Sequence, residues 1–262
     1  MGSAVVAFSG GVDSSLVAKA AFDALGEKSI AVTAVSATLS RRERAFAKHA
    51  SEIIGIKQIE LAADELASAE FVANDRYRCY YCKRFRMSEL KRFAAEKGFA
   101  QVIDGTNADD LGDWRPGLKA NEEVDVKSPL LIAGIGKSDA RLILKDLGIP
   151  FWDKPSSPCL ASRIPYGSPV TKEKLAQIEA AEEAVRALGV TDVRVRHHGS
   201  VARVEVPKAD LKKVIEADGL TARFKEAGFA YVALDLDGLR SGSLNLSTET
   251  TRYPLAHEVS RD

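Results

Sequence analysis

Apolar runs and helical apolar patterns alternate along the first half of the chain. Short apolar runs bounded by polar residues predict four buried strands, at residues 3–8, 30–35, 58–61 and 101–104. Longer stretches with apolar residues at helical spacing predict helices at 13–25, 41–54, 81–97 and 138–147. Strands that alternate with helices indicate a parallel sheet with helices on both faces. We therefore expect an α/β fold whose ligand sites lie beyond the carboxyl ends of the strands.

The second part of the chain has a different pattern. Residues 150–169 are rich in Pro and Ser and predict an irregular connection. Beyond it we expect helices at 172–188 and 209–225 and strands at 193–197, 202–206 and 230–234, which together form a smaller α+β unit. The predicted organisation is an α/β domain at 1–155, a cysteine-bearing linker at 156–169, a small α+β domain at 170–245 and a polar tail at 246–262.

The composition narrows the class of protein. The chain has 262 residues, of which 45% are hydrophobic, and its basic and acidic side chains are equal in number at 37 each. This zero net charge argues against tight nucleic-acid binding, which calls for a basic surface. No apolar run approaches the roughly 20 residues of a membrane span, and we expect no signal peptide. Three cysteines, an odd number, argue against a disulfide framework and favour the reducing cytoplasm.

The stretch Ser9-Gly10-Gly11-Val12-Asp13-Ser14-Ser15 carries the strongest functional signal, because it joins a predicted strand to a predicted helix. Gly10 and Gly11 allow the backbone to turn tightly and approach an anion, which the amides at the helix start then face. Asp13 is expected to cap the helix or to help hold Mg²⁺. Three serines add hydroxyl donors: Ser9, Ser14 and Ser15. The stretch predicts a phosphate-binding loop rather than an ordinary capped turn.

A second glycine-containing segment, Gly134-Ile135-Gly136-Lys137-Ser138, has part of a Walker A pattern. The earlier glycine that such a loop requires is replaced by Leu131, so we interpret Ser138 as a helix cap. Another segment, Asp104-Gly105-Thr106-Asn107, begins at the end of the fourth predicted strand and is expected at the same sheet edge as the first loop. Three later acidic residues belong either to a solvated loop or to a Mg²⁺ or substrate site: Asp109, Asp110 and Asp113.

All three cysteines lie outside the predicted strands. Cys79 and Cys82 form a Cys-x-x-Cys pair at a helix start, where both sulfurs can face one way, and Cys159 lies in a loop. Nearby cations are expected to favour thiolates: Lys83, Arg84 and Arg163. The residues alone leave five interpretations open. These are buried structural thiols, a Cys79–Cys82 redox disulfide, a zinc site, a [4Fe–4S] cluster held by three thiolates, and a single reactive Cys159.

The loop at 9–15 resembles the SGGxDS signature of the PP-loop ATP pyrophosphatases, which have the adenine nucleotide alpha hydrolase-like fold. That superfamily cleaves ATP between its α and β phosphates and attaches AMP to a substrate oxygen. With further segments, the loop resembles the sulfur transferase family LarE, which builds the nickel-pincer nucleotide cofactor. Those segments are 105–113, 115–117, 152–155, 157–163 and 239–245, so the resemblance covers nearly the whole chain.

The resemblance implies an ATP-dependent sulfur transferase that forms AMP and pyrophosphate. Its substrate is a pyridinium mononucleotide whose two carboxylates are adenylated and converted to thiocarboxylates, and its cofactors are ATP, Mg²⁺ and a [4Fe–4S] cluster. The implied nucleotide-binding residues are Ser9, Gly10, Gly11, Asp13, Ser14, Ser15, Gly105 and Thr106. The implied catalytic residues are Cys159, Cys79, Cys82 and Asp13, with the three cysteines also as cluster ligands.

Members of that family with one cysteine, at the position of Cys159, sacrifice its sulfur and end with dehydroalanine. This chain adds Cys79 and Cys82 and so resembles the three-cysteine subgroup, in which a cluster carries the transferable sulfide. The implied substrate residues are Ser162, Arg163, Arg194, Arg196, Glu182 and Glu205. An exposed ion-pair face is the alternative for the last four of these residues. The family also implies a trimer-based homo-oligomer or hexamer.

Other functions stay open at this stage. One is tRNA thiolation by a PP-loop with a three-cysteine cluster, which the neutral charge disfavours. Another is an amidating ligase of the NAD- or GMP-synthetase type, which has no use for three thiols. A third is an ATP-sensing module, which would bind nucleotide without releasing pyrophosphate.

Overall fold

The fold is that of a computed structural model, which describes residues 2–112 and 117–240. The described chain forms two compact units. The first contains the residues up to Ser162 together with Tyr166–Leu175, and the second contains Arg163–Pro165 together with the residues from Ala176 onward. The boundary expected at 156–169 therefore differs from this division, because short segments of the chain alternate between the two units.

A four-stranded parallel sheet organises the first unit. Its strands are β1 (Ala4–Ala7), β2 (Ser29–Val35), β3 (Gln58–Ala62) and β4 (Gln101–Ile103). They lie in the order β3-β2-β1-β4, so β1 pairs with both β2 and β4. The predicted α/β class and the four predicted strands are confirmed, with ends that differ by at most one residue.

Seven helices belong to the first unit's described residues. They are α1 (Val12–Leu25), α2 (Arg41–Ile54), α3 (Ala69–Val72), α4 (Arg78–Glu96), α5 (Gly117–Glu123), α6 (Pro129–Ile132) and α7 (Lys137–Asp146). Helix α4 begins three residues earlier than expected, so that Cys79 and Cys82 lie inside it. The expectation that Ser138 caps α7 is wrong, because Gly136 is the N-cap and Ser138 lies in the first helical turn.

Helices cover both faces of this sheet, as predicted. Val6 of β1 packs with Leu16 of α1 and Leu144 of α7 on one face. Val5, the preceding residue, packs with Leu90 of α4 on the other face, because side chains alternate along a strand. These side chains are nearly or fully buried, and each such burial contributes about 1.5–3 kcal/mol. The two layers hold the carboxyl end of β1, and the loop that follows it, in a fixed place.

The second unit has a small mixed sheet. Its strands are β5 (Arg194–His198), β6 (Val201–Glu205) and β7 (Tyr231–Leu234), with β5 antiparallel and β7 parallel to β6. Its helices are α8 (Lys172–Arg186), which begins in the first unit, α9 (Leu211–Ile215) and α10 (Leu220–Glu226). The single helix predicted at 209–225 is wrong. Gly219 interrupts it with a left-handed backbone conformation, φ +74°, which an α-helix cannot contain.

Some predicted features lie outside the described residues: Asp113, most of the segment 115–117, the end of the segment 239–245, and the tail at 246–262. Among the helices at 2–112 and 117–240, none is long and apolar enough to cross a membrane.

Candidate active site

The loop between β1 and α1 is a tight glycine turn. Gly10 has φ +72°, and a Cβ there would lie 2.8 Å from the Cα of Ala47, so any side chain would clash with α2. Gly11 is the N-cap of α1, which leaves the first amides of the helix available for a ligand. A Cβ on Gly105 would lie 2.7 Å from the backbone nitrogen of Ser14. Glycines therefore allow the end of β4 and the start of α1 to approach closely.

The three serines of the loop occupy different environments. Ser14 Oγ donates to the Gly11 carbonyl at 3.1 Å and lies 3.0 Å from Ser9 Oγ. Ser9 is exposed and Ser14 is buried. Ser15 is fully buried, and its hydroxyl makes no hydrogen bond. The hydroxyls of Ser9 and Ser14 thus lie together, and Ser9 is the more accessible of the two.

Asp13 faces a lysine that the sequence analysis did not assign to this loop. Lys137 Nζ lies 2.5 Å from Asp13 Oδ2, although the two residues are 124 positions apart. Asp13 Oδ1 is buried and makes no hydrogen bond, so it can still accept a cation. Asp13 does not cap α1, because it follows the N-cap by two residues. The remaining expectation, a role with Mg²⁺, agrees with this unsatisfied oxygen.

Lys137 is itself held in place through its backbone amide. Its backbone amide donates to Asp109 Oδ2 at 2.7 Å, at the start of α7. Asp110 accepts from the Asn107 amide at 3.0 Å, so both acidic residues bind the local backbone. The Gly-Lys-Ser segment is therefore not a Walker loop, but its lysine does reach the loop between β1 and α1. That partial motif was the signal by which Lys137 could have been found.

A buried polar network stands at the carboxyl end of β4. Asp104 accepts from Thr106 Oγ1 at 2.6 Å and from Asn121 at 2.7 Å, and Lys83 Nζ lies 2.9 Å away. Burial disfavours the charge of Asp104, but Lys83 and these hydrogen bonds outweigh it and hold the pKa below its usual value. Lys83 follows Cys82 directly, so this network fixes the cysteine helix next to Gly105 and Thr106.

The two cysteines of α4 lie one helical turn apart, Cys79 exposed and Cys82 partly buried. Burial is the main cause that raises the pKa of the Cys82 thiol to about 12; the charges of Cys159, Glu65 and Cys79 act in the same direction, and Arg86 opposes them. Cys82 therefore lies within electrostatic reach of both other cysteines. All three belong to the first unit, which also contains the phosphate loop.

The effect of the three predicted cations on Cys79 and Cys159 stays a prediction. Lys83 is bound to Asp104, and Arg84 contacts Tyr80. Arg86, which the sequence analysis missed, is the cation that acts on Cys82. It lies one turn after Cys82 on the same helix face, a spacing that could have indicated it.

The segment that carries Cys159 is tied to the first unit by its backbone. The Leu160 amide donates to the Thr38 carbonyl at 2.9 Å, and the buried Arg78 donates to the Ala161 carbonyl at 2.9 Å. The Ser162 amide donates to the Cys159 carbonyl at 3.0 Å, which closes a turn. Within residues 2–112 and 117–240, no three His, Cys, Asp or Glu side chains converge into a ready metal site. Three nearby thiols are nevertheless the donor set that iron–sulfur clusters use.

The second unit contains a buried network of arginines and glutamates. Arg163 binds Glu182 at 2.8 Å, and Glu182 also accepts from Arg186 and from the Val195 amide. On the sheet, Glu205 accepts from Arg196 at 2.8 Å and from Arg203 at 3.0 Å. The alternative of an exposed ion-pair face is wrong, because both glutamates and Arg196 are buried.

Two pKa shifts describe this network. Burial opposes the charge of Glu182, but Arg163 and Arg186 prevail and lower its pKa. Burial, together with Arg163 and Arg196, lowers the pKa of Arg194 to about 10. Arg194 therefore stands among like charges that an anion would relieve. The structure thus brings together five of the six predicted substrate residues, while Ser162 belongs to the first unit.

A parallel sheet whose first strand enters a helix through a Gly-Gly phosphate loop defines a nucleotide-binding protein of the PP-loop ATP pyrophosphatase class. Residues 1–109 match the family model described as NAD synthase. The chain is 39% identical to the pyridinium-3,5-bisthiocarboxylic acid mononucleotide synthase of Lactiplantibacillus plantarum, over 92% of this chain and 88% of that protein. It therefore belongs to the family of that synthase and is an ATP-dependent enzyme.

The chain is also similar to two other relatives. An uncharacterized protein of Synechocystis sp. is 43% identical over 92% of this chain and 91% of its own length. One chain of the glutamine-hydrolyzing GMP synthase of Thermococcus kodakarensis is 26% identical, over 95% of this chain and 83% of its own. The similarities to the NAD synthase family model and to the GMP synthase agree with the predicted PP-loop class.

Proposed function

We propose that this protein adenylates the carboxylates of a pyridinium dicarboxylate mononucleotide and converts them to thiocarboxylates. The observation that carries the proposal is that the first unit combines an ATP loop with three cysteines, two of which lie within electrostatic reach of the third, Cys82. An amidating ligase has no use for such thiols. The name of the Lactiplantibacillus plantarum relative supports this substrate class.

In the first step, a carboxylate oxygen attacks the α-phosphorus of ATP. The bond between that phosphorus and the bridging oxygen breaks, and pyrophosphate leaves. The amides at the start of α1, with Ser9 and Ser14, bind the pyrophosphate, and Lys137 adds a positive charge beside it. Asp13 would hold Mg²⁺ through its unsatisfied Oδ1, and this cation would neutralise phosphate charge.

In the second step, a sulfur nucleophile attacks the acyl carbon, and the bond to AMP breaks. With hydrosulfide as donor, the products are a thiocarboxylate and AMP, and no oxidant is needed. Cys79, Cys82 and Cys159 would hold a [4Fe–4S] cluster, which would supply transferable sulfide at its open iron position. If Cys159 itself attacks, a thioester forms and AMP leaves; loss of the Cα proton of Cys159 with breakage of its Cβ–S bond then gives the thiocarboxylate and dehydroalanine.

The second unit would bind the substrate's anionic groups. Arg194 and Arg196 offer guanidinium groups suited to phosphate and carboxylate, and the ion pair with Glu205 holds Arg196 in place. Arg163, bound to Glu182, would orient these arginines. Ser162, on the Cys159 segment, would add a hydroxyl that binds substrate. We also propose a trimer-based homo-oligomer.

The test uses oxygen-free protein with ATP, Mg²⁺, sulfide and pyridinium-3,5-dicarboxylate mononucleotide. We expect AMP, pyrophosphate and a product in which sulfur replaces oxygen, over many turnovers. Cys79→Ala, Cys82→Ala and Cys159→Ala should each abolish repeated sulfur transfer. An intact mass that loses the elements of H₂S in one turnover would instead indicate sacrifice of Cys159. Full turnover by all three variants, or AMP formation only with tRNA or ammonia, would overturn the proposal.

A further inference from the structure

We propose that the ion pair of Glu65 and Arg86 is the positioning device of the cysteine site, because it contacts Cys82 directly and holds the Cys159 segment through Thr38. The inference concerns the site of the proposed function and deepens it. Its test requires neither ATP nor substrate, so its result stands whether or not sulfur transfer is observed.

Glu65 lies in a short 3₁₀ turn and is fully buried. Its Oε1 accepts a hydrogen bond from Arg86 Nε and lies 3.9 Å from Cys82 Sγ. Its Oε2 is buried and makes no hydrogen bond. A buried carboxylate costs several kcal/mol of desolvation, and apolar side chains of similar volume often stabilise such a site equally well. Stability alone therefore does not explain a carboxylate beside a thiol.

Arg86 extends this contact toward the other cysteine segment. Its Nη2 donates to Thr38 Oγ1 at 2.8 Å and to Ser36 Oγ at 3.2 Å. Thr38 is fully buried, and its carbonyl accepts from the amide of Leu160, the residue after Cys159. A continuous path of contacts thus runs from Cys82 through Glu65, Arg86 and Thr38 to the Cys159 segment.

The charges agree with this path. Burial opposes the charge of Arg86, but Cys82, Glu65 and Cys159 outweigh it and raise its pKa above the ordinary value. Arg86 therefore lies in the field of both cysteines. A planar guanidinium can bind a carboxylate and two hydroxyls at once, which an ammonium group at the end of a flexible stem cannot reproduce.

The experiment measures cadmium binding to cluster-free, reduced protein through the ultraviolet absorption of cadmium–thiolate bonds. Groups that orient metal ligands typically contribute about 10–100-fold to metal affinity, so we expect that loss in Glu65→Gln and Arg86→Gln. Arg86→Lys should not restore the affinity. Arg44→Gln is the matched control, because it breaks the exposed pair of Arg44 with Glu60 elsewhere in the same unit and should leave affinity unchanged.

A second measurement reports the distance between the thiols. In a Cys79→Ala background, a short bis-alkylating reagent should link Cys82 to Cys159, and Arg86→Gln should reduce the yield several-fold. Thr38→Val keeps the shape of the side chain but removes the hydroxyl that accepts from Arg86. It tests the same path of contacts if the Arg86 variants do not fold. Wild-type cadmium affinity and cross-link yield in folded Arg86→Gln, or in Thr38→Val, would overturn the proposal. Thermal unfolding, followed in parallel, separates positioning from a purely structural role.

Discussion

At the scale of single residues, the ion pair of Asp13 with Lys137 decides which charges lie at the loop between β1 and α1. Gly10, Gly11 and Asp13 lie close together in the chain, so their pattern indicates one site directly. Lys137 reaches Asp13 from 124 positions away, and only the packing of α7 beside α1 makes this contact. The Glu65–Arg86 pair was missed because its two residues are 21 positions apart and lie on different elements.

Asp13→Asn should lower AMP formation by about 10²-fold or more, because the amide removes the charge that would hold Mg²⁺ against the phosphates. The measurement is pyrophosphate release with ATP and the pyridinium substrate. Asp23→Asn is a control on the same helix, since its pair with Lys19 is solvent-accessible. Normal pyrophosphate release by Asp13→Asn would refute the role assigned to this carboxylate.

Lys137→Gln should reduce kcat/KM for ATP by about 10²-fold, because it removes a positive charge at the position where phosphate charge develops. Lys145→Gln is the matched control: this exposed lysine lies on the same helix and contacts the Trp152 ring instead. Equal ATP kinetics in the two variants would show that the Gly-Lys-Ser segment has only a structural role.

At the scale of elements, the apolar pattern predicted the long helices and the four parallel strands to within three residues. It failed where the backbone conformation of one residue, rather than the apolar pattern, decides where a helix ends. The apolar spacing continues across Gly219, but its positive φ ends one helix and begins another. The short helices α3, α5 and α6 were not predicted, because four to seven residues are too few to show a period.

Gly10→Ala tests the β1–loop–α1 unit against Gly98→Ala. Both glycines have similar positive φ angles, +72° and +74°, so each alanine carries about 1–2 kcal/mol of backbone strain. A Cβ at Gly98 meets nothing within 4 Å, whereas at Gly10 it lies 2.8 Å from Ala47 Cα. We expect clearly greater loss of unfolding free energy in Gly10→Ala, with loss of ATP binding. Equal urea denaturation midpoints would contradict the close approach of loop and helix.

Glu182→Gln tests the buried ion pairs that Glu182 of α8 forms with Arg163 and Arg186. Breaking a buried ion pair typically costs about 3–5 kcal/mol, so we expect such a loss of unfolding free energy near neutral pH. The pKa of Glu182 is lowered from 4.5 in the folded protein, so its stabilisation is present above that value and is lost as the pH falls through the folded pKa. The difference from the wild type should therefore shrink in acid.

Urea denaturation across this pH range measures the effect. Glu183→Gln provides the control, because its pair with Arg186 is half exposed and contributes at most about 1 kcal/mol. A difference between Glu182→Gln and wild type that stays constant down to strongly acidic pH would show that the carboxylate is not what stabilises this network.

At the scale of the whole molecule, the ATP loop and the cysteines belong to one compact unit and the arginine–glutamate network to the other. The sequence predicted two domains from the change in pattern near residue 150. It could not predict that Arg163 would join the second unit while Cys159, four residues earlier, stays in the first, because hydrogen bonds to Thr38 and to Glu182 decide this.

This division predicts where nucleotide acts on the protein. A ligand that binds only the folded state adds about 2.7 kcal/mol of stability at a concentration of 100 Kd, and local amides exchange more slowly where it contacts them. With Mg²⁺ and an ATP analogue that cannot be cleaved between its α and β phosphates, hydrogen exchange should slow at residues 9–15 and 104–107. The backbone of β5 and β6 should keep its exchange rates. Protection confined to β5 and β6 would place the nucleotide on the arginine network and remove the phosphate loop from its assigned role.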